Sequence, residues 1–112
     1  MLARGDAALA ATHFKESLRL SRRLGVPKFQ AWCLAGLAGV AVLEEEPERA
    51  AWLWGAAEAL RRALGVREAP ASRATRERLI AQAREQRGEA AFAAAWAEGQ
   101  AASTEQAIAE AL

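Results

Sequence analysis

Three times along the chain, a small or apolar residue, a large aromatic and a second small or apolar residue recur at spacings of four and three. The sets are Ala10, Phe14 and Ser17; Ala50, Trp54 and Ala57; and Phe92, Trp96 and Gly99. Successive aromatics lie 40 and then 42 residues apart, a period typical of stacked helical units. Spacings of four and three place each set on one face of a helix. On such a face the small side chains let neighbouring helices touch, and the aromatic fills the gap between them. The pattern predicts an all-α fold in which antiparallel helix hairpins stack as a short α-solenoid of about five helices.

Composition agrees with helix throughout. Alanine dominates, Tyr and Asn are absent, and β-branched and aromatic residues are few, which favours helix over strand. A length of 112 residues suits one domain, 1–112, in which burial is only about two-thirds complete. Fifteen basic and 14 acidic residues leave a net charge of +1, unlike the lopsided charge of a nucleic-acid or membrane-surface binder. The single cysteine, Cys33, excludes an internal disulfide and suits a reducing cytoplasm. Arg4 and Asp6 interrupt "MLARGDAALAA", so no signal peptide is expected. The longest apolar stretch, Ala31 to Leu43, falls short of the roughly 20 residues that span a bilayer.

Periodicity and punctuation place the helices. The first is expected from Asp6 to Leu24 and ends at "LGVP". The second, Lys28 to Leu43, is apolar almost all round, as in a helix packed on two sides. "EEEP" closes it, and Pro47 is placed to open the third helix, Glu48 to Leu64. That third helix carries two faces. Ala50, Leu53, Trp54, Ala57 and Leu64 form the main buried stripe. Trp52, about 160° from Trp54, shares a second stripe with Ala56, Ala59 and Ala63. The small residues of that second face allow close approach by a neighbour, and Trp52 is expected to lie against the fourth helix. "GVREAPAS" is a loop, and the fourth helix follows from Ser72 to Arg87. A short helix within "EAAFAAAWAEG" comes next, and a capping box of Ser103 and Gln106 starts a last one. The units are 1–26, the second helix of a truncated repeat; 27–66, the central repeat; and 67–112, a degenerate third repeat with a terminal helix. Structural core is expected at Leu37, Ala38, Ala50, Trp54, Ala57, Leu79, Phe92 and Trp96.

These sets resemble the second helix of tetratricopeptide repeats. Leu34, Leu37-Ala38 and Ala41 are similar to that family's first-helix pattern, in register with Ala50, Trp54 and Ala57. More narrowly, "CLAGLAGVAVLEEEPERAAWLWGAAEALRRALG" and "GEAAFAAAWAEGQAASTEQAIAEAL" resemble the helical-repeat tail of large bacterial regulators. These combine a P-loop ATPase with a LuxR-type helix-turn-helix. The resemblance implies a sensor or scaffold part, in the cytoplasm, binding a protein, a peptide or the regulator's other domains. It also implies a concave groove lined by the first helix of the hairpin, at Trp32, Ala35, Gly39 and Val42. Trp32 either faces a partner there or packs against the end of the first helix. The first unit's mate is expected upstream of Met1. Without it, Leu9, Phe14 and Leu18 would leave an uncovered strip for self-association as a homodimer.

Candidate chemistry is sparse. No GxxxxGK[ST] is present to cradle phosphates. His13 is a lone histidine, Cys33 lies in an apolar helix without a nearby base, and Glu44 to Glu46 reads as a solvated helix end. The clusters "RLSRR" and "RATRER" read as solvated faces with no recognition-helix signature. The expectation is a non-enzymatic interaction module with no cofactor, metal, nucleic acid or membrane contact. The alternative is a small-molecule effector domain with an apolar pocket near Trp32 and Cys33.

Overall fold

A computed structural model describes residues 4–68 and 70–112. Residues 1–3, the start of the segment read for a leader, and Ala69, in the expected third loop, lie outside the described residues. Six helices form, and no strand occurs among the described residues. They are α1 (Arg4–Leu24), α2 (Pro27–Leu43), α3 (Pro47–Leu64), α4 (Pro70–Arg87), α5 (Glu89–Ala101) and α6 (Thr104–Ala111).

Local chemistry sets the boundaries. Proline opens α2 and α3, where its missing N–H costs nothing and its φ is already helical. Gly65 ends α3 in the left-handed region, φ 66, as a glycine C-cap does. Gly88, at φ 95, is the one residue between α4 and α5, and that backbone is open only to glycine without strain. The described residues form six helices, against the stack of about five expected, and each of the six corresponds to a segment placed from the sequence, α6 included. Its capping box is formed. Ser103 Oγ accepts from the Gln106 N–H at 3.1 Å, and the Ser103 N–H donates to Gln106 Oε1 at 2.9 Å.

α1, α2 and α3 pack in chain order, each on the next, but α3 then packs most extensively on α5. The second face of α3 does allow close approach, and the neighbour that takes it is α5. A Cβ on Gly55 would overlap the Trp96 carbonyl, and one on Gly99 would overlap the Trp52 carbonyl. The two backbones therefore cross in direct contact through a reciprocal pair of glycines. Trp52, expected against the fourth helix, thus has its backbone against α5. The reason lies in α4, whose arginine-rich sequence buries only Ile80 and Ala83. A helix with so little apolar surface cannot compete for the main face of α3.

The core is continuous across α1, α2, α3, α5 and α6, with α4 contributing Ile80 and Ala83. Leu37, Ala38, Ala50, Trp54, Ala57 and Phe92 are buried in it, whereas Leu79 and Trp96 are half-buried at its margin. Phe92 stacks at a tilt on Trp96, centroids 5.8 Å apart, and the Arg84 guanidinium lies 5.2 Å from the Phe92 ring centre. Among the described residues, three ion pairs involve α4: Arg76 with Glu68 in the loop before it, Arg84 with Glu89 of α5, and Arg87 with Glu48 of α3. At the far side, Arg49 Nη2 donates to the Glu110 carbonyl at 3.1 Å and so ties the start of α3 to the end of α6.

Helical glycines provide an ordered test by thermal denaturation. Gly55→Ala and Gly99→Ala must push two backbones apart, and each is expected to cost about 2–3 kcal/mol, or about 10 °C in Tm. Gly39→Ala meets only Leu79 Cδ1 at 3.4 Å and should be neutral or stabilising by up to about 1 kcal/mol. A Gly99→Ala protein melting with the wild type would refute the backbone crossing. Separately, Trp54→Ala should lower stability by about 3–5 kcal/mol in urea titration, as a plug removed from a closed core.

Candidate partner-binding groove

α2 is the floor of the site because its residues at 28, 32, 35, 39 and 43 recur every three or four positions and share one face. That face holds Ala31, Ala35, Gly36 and Gly39, which keep the floor low. α1 supplies one wall with Ala10 and Phe14. The last turns of α3, the loop after it and the first half of α4 supply the other. The result is a groove of about 660 Å³. α4 contacts α2 little, with Leu79 lying beside Gly39, and the gap between them is the groove.

Trp32 stands at the rim, 58% exposed. On its inner side the Phe14 ring meets it edge-on, centroids 5.2 Å apart with planes at 60°. Phe14 is itself wedged onto Gly36, where a Cβ would collide with its ring. The glycine therefore seats the phenylalanine, and the phenylalanine braces the tryptophan. Trp32 therefore packs on the middle of α1, at Phe14, rather than on the end of that helix, and still presents much of its ring to solvent.

Of the four groove positions implied by the resemblance, Trp32, Ala35 and Gly39 line the groove. Val42 does not. It is fully buried in the cluster that contains Ala107 and Ile108, because α6 packs over α2. The self-association strip is corrected in the same way. Leu18 is fully buried and Phe14 is committed to Gly36 and Trp32, which leaves Leu9 alone exposed. Cys33, placed near the pocket in the effector reading, belongs to the core and not to the groove lining.

Charged groups crowd one end, where the first turn of α2 meets the last turn of α3 and the loop. Lys28, Arg61, Arg67, Arg76, Glu58 and Glu68 line that end. Glu68 receives a two-pronged bond from Arg76, with Nε and Nη2 at 2.9–3.1 Å from its carboxylate oxygens. Arg76 thereby departs from the solvated face expected for "RATRER". Its only forewarning in the sequence was Glu68 eight residues earlier, a spacing that no helical rule relates. Leu64, expected on the buried stripe of α3, is instead 40% exposed at the helix end and lines the groove together with Val66, which was not anticipated because a loop carries no periodic signal.

Among the described residues, no group of three or more His, Cys, Asp or Glu is placed to hold a metal, and no helix is long and apolar enough to cross a membrane. His13 is exposed. No family model, curated protein or solved structure matches this chain.

Burial also fixes the behaviour of the one thiol. Desolvation pushes Cys33 above its ordinary pKa, so at neutral pH it is protonated and out of reach. Dithionitrobenzoate should label it slowly in the folded chain and at once in 6 M guanidinium (about the strength that unfolds most domains). Fast labelling of the native protein would place Cys33 outside the core.

Proposed function

We propose that this chain is a non-enzymatic interaction module that receives an amphipathic helical segment in the groove on α2. The observation that carries the reading is Trp32, packed edge-on against Phe14, more than half exposed and set over a floor of alanine and glycine. A held aromatic beside a surface that another backbone can approach is the anatomy of an interface hot spot. The floor from Lys28 to Leu43 is about 22 Å long at 1.5 Å per residue, about four turns of a bound helix.

Kinship with tetratricopeptide arrays is part of the same proposal. α2 and α3 would be the central hairpin, with α2 lining the concave side, and the third unit would be altered by the α3–α5 crossing. Cytoplasmic residence, as the regulatory part of a bacterial transcriptional regulator, rests on the sequence phrases and is proposed on that footing. Its partner is then another protein or a neighbouring domain of the same regulator. A homodimer would use the outward leucines of α1, namely Leu9, Leu20 and Leu24.

A small-molecule effector is the second reading. The groove volume falls within the roughly 300–1,000 Å³ typical of ligand pockets, although one side stands open to solvent.

Selection of helical peptides from a randomised displayed library against the folded chain tests the proposal. Binders are expected to lose about tenfold or more in affinity on Trp32→Ala. They should keep it on Phe29→Ala, which removes an equally exposed aromatic from outside the groove. Binders indifferent to Trp32 would defeat the reading. So would a screen in which small apolar ligands raise Tm by several degrees while no peptide binds.

A further inference from the structure

The groove has an unmet charge at one end. Its two carboxylates are already taken, Glu68 by Arg76 and Glu58 by Arg62 at 2.8 Å. Lys28, Arg61 and Arg67 line the same end and have no carboxylate partner among the described residues. Arg61 reaches only the Val66 carbonyl, at 3.5 Å. Neither α2 nor α4 places an acidic residue in its first turn, so the helix starts at this end do nothing to offset the cations. Toward the other end the lining is apolar, with Gly39, Val40, Leu43 and Leu79.

Resting on the reading of the groove as a peptide site, we propose that its occupant is an acidic amphipathic helix. Its apolar stripe lies along the α2 floor against Trp32, and carboxylates gathered at one end meet Lys28, Arg61 and Arg67. The asymmetry decides the class of partner. A nucleic acid would need phosphate contacts along its whole track, whereas the cations here occupy one end of an apolar trough. An uncharged helix would bury the floor and leave three cations facing a desolvated neighbour. A basic helix would bring like charges together. Carboxylates at one end satisfy the cations and set the direction in which the helix lies.

Three synthetic helical peptides test this, identical in a leucine stripe and differing only at one end, which carries glutamates, glutamines or lysines. Titrated onto the folded chain, the glutamate peptide should bind about tenfold more tightly than the glutamine one. That advantage should shrink as salt rises from 50 to 500 mM (about a threefold shortening of the Debye length). The lysine peptide should bind least. The Lys28→Glu/Arg67→Glu variant changes two exposed side chains, so it should fold like the wild type by circular dichroism and reverse the order of the glutamate and lysine peptides. Equal affinity for all three peptides, each lost on Trp32→Ala, would overturn the acidic partner while leaving the groove as a peptide site. Failure of all three to bind, with dodecanoate raising Tm, would overturn both readings in favour of a small amphiphilic anion.

Discussion

The crossing of α3 and α5 governs this fold. At Gly55 and Gly99 each helix lacks a Cβ where the other's backbone carbonyl arrives. Two helices in such contact gain dispersion along their whole crossing, because close approach brings many atoms to optimal separation at once. α5 thereby becomes the principal partner of α3 although α4 precedes it in the chain. Everything beyond the first three helices follows from that choice.

α4 is the clearest consequence. Displaced from the main face of α3 and poor in apolar surface, it is held by Ile80, Ala83 and ion pairs from its last turn to α5 and α3 rather than by a broad packed stripe. It therefore stands away from α2, and the space between them is the groove.

Within the groove, order is passed along a short chain of contacts. Gly36 admits the Phe14 ring, Phe14 meets Trp32 edge-on, and Trp32 stays more than half exposed. Small residues thus serve two purposes here: on α3 and α5 they bring backbones together, and on α2 they seat an aromatic and flatten a floor. The first use builds the core and the second builds a surface.

Much of this was legible from residue spacing. Helix identities, most boundaries, the Ser103 capping box, the core positions on α2 and α3, and the existence of a close-approach face carrying Trp52 all depend on residues within a turn or two of one another. Three of the four expected groove positions also line the groove. What spacing could not reveal was the partner of each face. Gly55 reads as one more small residue until Gly99 arrives opposite it. Val42 reads as exposed until α6 covers it, and Leu18 as uncovered until α2 packs against it. Periodicity reports which side of a helix is apolar because φ, ψ and the i to i+4 bonds are local. Which apolar side meets which is settled by backbone approach and total burial among residues far apart in the chain, and only the assembled fold compares those alternatives.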